Sequence, residues 1–206
     1  ISWVEKYDLS LQPEKLAGRP LYFWHGEKDE KIPFQQTNDF VKNNDKDILE
    51  LNRHVLSNGS AVPLLHFKKL SELSMIEHCF TTRLGGLSTG MFESLNLSFT
   101  RGDEEKNVLE NYKRVAEAIG AEVGQIVTTD QTHTTNVLRV GRKQCGIGVT
   151  RKRPYTDVDG LITNEPNVVL ATFYADCVPL YFVDPVHRAI GLSHSGWRGT
   201  VNRMGK

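Results

Sequence analysis

The apolar positions of this chain fall into short clusters with two recurring periods. Gly18–Gly26 (GRPLYFWHG) is an apolar, aromatic run closed by glycine, the pattern of a buried strand. Gln35–Asn43 reads as a short helix with Phe40 and Val41 inward, and Asn43-Asn44-Asp45-Lys46-Asp47 reads as a polar linker. Beyond it, Leu51–Leu56 and Val62–Phe67 are strand candidates on either side of Ser57-Asn58-Gly59, and His78–Thr82 is a third. The period then changes. Val108, Leu109, Tyr112, Val115, Ala116 and Ile119 form one stripe of an amphipathic helix. Asp103 suits its N-cap, Glu104 and Glu105 suit its positive start, and Gly120 supplies its stop. Gln125–Thr129, Asn136–Val140, Gly160–Thr163, Val168–Tyr174, Leu180–Val183 and Ala189–Ser193 return to strand character. Many short strands and one clear helix predict an α/β (mixed α+β) domain over 48–206. Residues 1–47 form a separate piece, too small for a core of its own below about 40–50 residues.

Composition narrows the classes. With 206 residues, 39% hydrophobic and 24% charged, the chain can build a core and is not wholly disordered. The 25 basic and 25 acidic residues cancel, so no electrostatic footprint for nucleic acid or an anionic membrane is present. No apolar run reaches the roughly 18 residues of a membrane helix. The opening ISWVEKYDLS lacks the basic and apolar regions of a signal peptide. It starts at Ile1, which reads as a processed or incomplete beginning. Cys79, Cys145 and Cys177 are an odd, sparse set, pointing to free thiols in a reducing, cytoplasmic setting. A monomer is expected.

The sharpest chemical signal lies near the C-terminal end. Leu180–Val183 and Ala189–Ser193 are joined by Asp184-Pro185-Val186-His187, a turn composition. A hairpin centred between Pro185 and Val186 would set Cys177 directly opposite His194. A thiolate and an imidazole can share zinc or copper, or act as nucleophile and base. His133, in the polar stretch Asp130-Gln131-Thr132-His133, is the best third ligand. A catalytic zinc on His133, Cys177 and His194 would keep one position open for water. The Arg83-Leu84-Gly85-Gly86 loop and the His194-Ser195-Gly196-Trp197-Arg198 stretch each pair an arginine with backbone suited to an anion.

Two resemblances add to this reading. His25-Gly26-Glu27-Lys28-Asp29-Glu30-Lys31-Ile32-Pro33 resembles the last strand and following loop of an α/β-hydrolase, where Asp29 would be the acid of a triad. No nucleophile elbow precedes it, and Gly86-Leu87-Ser88-Thr89-Gly90 does not follow a convincing strand. A hydrolase fragment is therefore expected, not a hydrolase. Residues 78–200 resemble the laccase-domain (polyphenol-oxidase-like, YfiH-type) purine nucleoside phosphorylases. The stretches that carry this are FTTRLGGLS (80–88), ESLNLS (93–98), the Gly102-Asp103 helix start, DQTHTTNV (130–137), DVDGLIT (157–163), ADCVPLYFVDP (175–185) and AIGLSHSGWRGT (189–200).

The resemblance implies a layered central β-sheet with flanking helices, similar to the deamidase domain of cytotoxic necrotizing toxins. It also implies a zinc site that matches His133, Cys177 and His194. The implied reaction is phosphorolysis of adenosine, inosine, guanosine and methylthioadenosine to base and sugar 1-phosphate, with adenosine deamination besides. A copper-dependent laccase activity is also associated with such proteins, but three protein ligands cannot build a multi-copper cluster. Arg83 and Arg198 are the candidates for a phosphate clamp. Asp176, Gln131 and Asp159 remain open alternatives for the polar and proton-transfer roles. The family pattern continues past W-R-G-T, so the domain is expected to be C-terminally incomplete. Its asparagine–arginine helix pair reads Asn111-Tyr112-Lys113-Arg114 here, with the arginine shifted. The competing classes are a metal-free Cys177–His194 amidase or deamidase and a binding module without turnover.

Overall fold

The computed structural model describes residues 48–205. The hydrolase-like reading of residues 1–47 lies outside the described residues. The strands divide among three sheets, with few helices, as expected of a mixed α+β domain. The first sheet is β1 (Leu49–Val55), β2 (Ala61–Phe67) and β3 (Phe80–Thr81), all antiparallel. A short helix α1 (Lys68–Ser71) leaves the end of β2. The second sheet is a parallel pair, β4 (Ile126–Thr128) and β7 (Val169–Ala171). The third has the order β5 (Val137–Arg139), β6 (Gly160–Thr163), β9 (Ala189–Ser195), β8 (Val178–Asp184).

Helix α2 (Glu105–Ala118) joins the first two sheets. Val115 packs with Val62 and Leu64 of β2, while Val108, Tyr112 and Ala116 pack on Ile126 of β4. Its C-terminus closes as a Schellman turn. Gly120, at φ +69°, donates to the Glu117 carbonyl, and Ala121 donates to the Ala116 carbonyl. Its N-cap is Glu104, not Asp103. The Asp103 carboxylate is taken instead by the Ser88 hydroxyl at 2.6 Å and the Asn96 amide at 2.9 Å. Its other oxygen, Oδ1, accepts the Glu104 N–H at 2.8 Å, so Asp103 ties the start of the helix to the loop without being the N-cap.

One face of α2 also organises the 85–96 loop. Asn111 is fully buried; its amide donates to the Ser88 hydroxyl and to the carbonyls of Ser94 and Asn96, and its carbonyl accepts from Leu87 N–H. Arg114, one turn on, donates to the Gly85 carbonyl at 2.9 Å. The shifted arginine thus still reaches this loop, because positions three apart share a helix face.

The third sheet positions the candidate residues Cys177 and His194. In β8–β9, Pro179 opposes His194 and Asp184 opposes Ala189, so the loop is four residues, centred one position later than the turn composition predicts. Asp184 sets this length: its Oδ1 accepts from the N–H groups of both Val186 and His187. Cys177 therefore lies just before β8 rather than opposite His194. It is two residues from Pro179, and the two-residue period keeps it on the His194 side of the ribbon. Among the described residues no helix is long and apolar enough to cross a membrane.

Candidate metal centre and cavity

Three elements meet at the start of β8 and the end of β9. His133 comes from the loop after β4, Cys177 from the residue before β8, and His194 from β9 itself. Their ligand atoms all lie within 4.8 Å of one another. Cys177 Sγ stands 3.7 Å from His133 Nε2, and the two imidazoles meet edge to face at 4.9 Å between centroids. Among the described residues this is the one His, Cys and carboxylate group compact enough to hold a metal.

The donor set fits a borderline-soft cation: two imidazole nitrogens and one thiolate, with room for a further ligand on the exposed His133 side. Electrostatics point the same way. Burial, followed by the neighbouring Asp176 and then Asp159, pushes the free Cys177 thiol up to about 11. A bare thiolate is opposed here, whereas a bound dication reverses that balance. The bound metal's chemistry would be to polarise an oxygen at the open position. Gly196 leaves the space for the ligands: a Cβ there would lie 2.8 Å from Cys177 Sγ and 2.9 Å from His133 Cδ2.

The centre opens on a cavity of about 960 Å³. His133, His194, Asp176, Gln131 and Arg83 all line it. Tyr174 forms a wall beside the candidate metal ligands, 5.7 Å from the His194 ring and 5.9 Å from Phe80, which it stacks against. Asp176 is exposed, with Oδ1 3.6 Å from the Cys177 sulfur.

Residues 77–206 match the sequence pattern of the family described as multi-copper polyphenol oxidoreductase laccase. The chain belongs to that family. It is 40% identical to purine nucleoside phosphorylase YlmD of Bacillus subtilis (strain 168) over 128 residues, 62% of this chain and 46% of that protein. It is 38% identical to a purine nucleoside phosphorylase of Bacteroides thetaiotaomicron over 139 residues, 67% of this chain and 52% of that one. Among solved structures it is similar to the hypothetical protein YfiH of Bacillus licheniformis, with a TM-score of 0.62 at 36% identity, covering 66% of this chain and 51% of that one. The chain spans about half the length of the curated relatives it matches.

The remaining residues singled out in this laccase-family chain have distinct placements. Arg83 faces the cavity but is also a staple: its Nε donates to the Glu93 carbonyl and its Nη2 to the Met91 carbonyl at 2.8 Å. These partners are neutral, so the guanidinium charge is not cancelled by them. Gln131 is committed to the backbone. Its Oε1 accepts from Phe173 N–H and the Thr129 hydroxyl, and its Nε2 donates to the Phe173 carbonyl. It thereby fixes the segment that leads to Cys177. Arg198 is exposed on α3 (Trp197–Val201), 5.4 Å from the Trp197 ring centroid, and is not among the residues lining the cavity. A charge pair in the cavity wall escaped the sequence reading. Arg153 pairs with Asp130 and donates to Thr128 Oγ1 at 3.1 Å. A charge pair formed across 23 positions leaves no local signature in the sequence.

Proposed function

We propose that this chain is a purine nucleoside phosphorylase whose zinc is held by His133, Cys177 and His194. The observation that carries the reading is that trio's clustering within 4.8 Å where two of its members, His133 and His194, line a roughly 960 Å³ cavity that Arg83 also faces. Relatives named purine nucleoside phosphorylase support it. In the reaction the C1′–N9 glycosidic bond breaks and a bond forms between C1′ and a phosphate oxygen. The products are free base and sugar 1-phosphate, and one proton passes to the base.

Each residue then has a task. Arg83 offers positive charge and a planar fork to phosphate oxygens. Phe80 and Tyr174 offer ring faces to a flat base. Asp176, beside the thiol and open to the cavity, is the candidate proton carrier. Gln131 positions rather than touches substrate, and Arg198 joins the clamp only if substrate reaches the outer face of α3. Adenosine, inosine, guanosine and methylthioadenosine share the purine and sugar this arrangement would hold. Adenosine deamination, with water attacking C6 and ammonia leaving, is the second activity we assign to the centre. Copper is the alternative metal for the same donor set.

A metal-free amidase or deamidase using Cys177 rests on the 3.7 Å approach of its sulfur to His133. Against it stands a thiol pushed up to about 11, since only the thiolate is a competent nucleophile. The deciding experiment incubates the protein with adenosine, with and without phosphate, and identifies products by chromatography. Adenine and ribose 1-phosphate that need phosphate, and vanish with a chelator or with Cys177→Ala, are expected. Turnover indifferent to chelators and blocked by thiol alkylation would replace this reading with the amidase one.

A further inference from the structure

We infer that Asp159 is the positioning residue that assembles the metal centre before any metal arrives. The inference rests on the His133–Cys177–His194 site being a metal site, and not on which reaction that site performs. Asp159 has 0% exposure. A carboxylate taken fully out of water needs every lone pair satisfied. Here the partners are two of the proposed metal ligands, His133 and His194, and the two threonines that flank His133.

The side chain first fixes His194. Its Oδ1 stands 2.7 Å from His194 Nδ1, and the Asp159 carbonyl accepts the His194 backbone N–H at 2.8 Å. An ionised carboxylate only accepts, so Nδ1 must carry the proton. The Nε2 lone pair is then left free for a cation.

The same carboxylate fixes His133. Thr132 N–H and Thr134 N–H donate to Oδ2 at 2.9 and 3.0 Å, and His133 N–H donates to Oδ1 at 3.1 Å. Three consecutive N–H groups wrapped round one anion form a nest. The wrapping holds His133 at φ +65°, a left-handed conformation that costs a non-glycine residue energy. Asp159 supplies the anion that makes this conformation stable. It also occupies the nest, so this loop offers no phosphate site of its own. One buried side chain on the residue before β6 thus orients two ligands that are 61 positions apart in sequence, leaving Cys177 to close the set.

The test pairs a wild-type measurement with a variant. Nitrogen-15 NMR of the metal-free protein reads the His194 tautomer directly. A proton on Nδ1 is expected, and a neutral ring protonated on Nε2 overturns the inference. Cobalt(II) titration, followed by the sulfur-to-cobalt absorption band, then compares wild type with Asp159→Asn, and zinc competition repeats the comparison. Loss of the carboxylate is expected to weaken binding by about 10- to 100-fold, the usual cost of removing such an outer partner. Equal affinity in a folded Asp159→Asn protein overturns it. Should the variant not fold, the wild-type tautomer decides. Should wild type bind neither cobalt nor zinc, the metal-site reading itself fails and the inference falls with it.

Discussion

A Cβ added to Gly196 would sit 2.8 Å from the sulfur of Cys177. Gly196 has φ −76° and ψ −176°, an extended backbone open to any residue, so its requirement for glycine is one of space alone. The atoms that would have to give way belong to two proposed metal ligands, Cys177 and His133. Gly196→Ala is therefore expected to displace the ligands more than the fold. Thermal unfolding should change by about 1–3 kcal/mol, the range for inserting one methyl into a packed site. Metal affinity should fall clearly in the same protein. Unchanged cobalt binding would show that the ligands can rearrange round the methyl group.

The loop at 85–96 depends on a single helix side chain in the same way. Asn111 makes four hydrogen bonds into that loop from a fully buried position. Asn111→Ala strands the Leu87 N–H and the Asn96 carbonyl, each costing about 1–3 kcal/mol where water cannot replace the partner. A loss of about 2–4 kcal/mol is expected in urea unfolding. Because the Arg83 backbone carbonyl accepts from Ser94 and Leu95 of this loop, phosphate affinity should weaken too. Asn111→Asp keeps the acceptor for Leu87 but turns an acceptor oxygen towards the Ser94 and Asn96 carbonyls in a fully buried site, and should cost more than alanine.

How much of this was legible in the sequence depends on the range of each interaction. The β8–β9 ribbon and its Cys177/His194 face were visible because alternation and turn composition are local. Its exact register was not, because the Asp184 side chain moves the loop one position on through bonds that composition does not weigh. Parity rescued the site: moving Pro179, instead of Cys177, opposite His194 is a two-residue change, and only odd shifts turn a side chain to the other face. The α2 stripe was equally local. Asp103 misled because it has the right identity for a cap while its partners, Ser88 and Asn96, lie upstream. Asp159 was visible only as one polar alternative among three. Its role rests on His194, 35 residues away, and on a nest whose shape no short motif announces.

Acid should destabilise this fold through histidines outside the proposed metal site. His66, buried between His54 and His78, has its pKa lowered by burial and then by His54. His78 is lowered to about 4 by burial and then by His66, while its Nε2 accepts the Phe67 N–H at 2.8 Å. A histidine whose folded pKa lies below the unfolded value of 6.5 binds more protons when unfolded. Its contribution is therefore present above pH 6.5 and is lost as pH falls from 6.5 towards 4. Urea midpoints measured across that window should decline with acid. His78→Gln, whose side-chain carbonyl can still accept from Phe67, should show a shallower decline than wild type. Parallel curves would place the acid sensitivity elsewhere.

Arg83 and Arg198 separate a cavity-facing charge from an exposed one. Arg83 lines the cavity with its guanidinium held by two carbonyls, so it meets an anion already oriented. A charge-assisted hydrogen bond is worth about 1.5–3 kcal/mol. At about 1.4 kcal/mol per factor of ten, Arg83→Ala should raise the KM for phosphate by roughly 10- to 100-fold. Arg83→Lys keeps the charge but cannot span both carbonyls, and should fall between wild type and alanine. Arg198 stands outside that cavity against Trp197. Arg198→Ala should leave unfolding within about 0.5 kcal/mol of wild type and the phosphate KM unmoved. Steady-state kinetics at varied phosphate, run beside urea unfolding for each variant, distinguish a lost contact from a loosened loop. A raised KM in Arg198→Ala at full stability would bring α3 into the clamp, and an unmoved KM in Arg83→Ala would remove Arg83 from it.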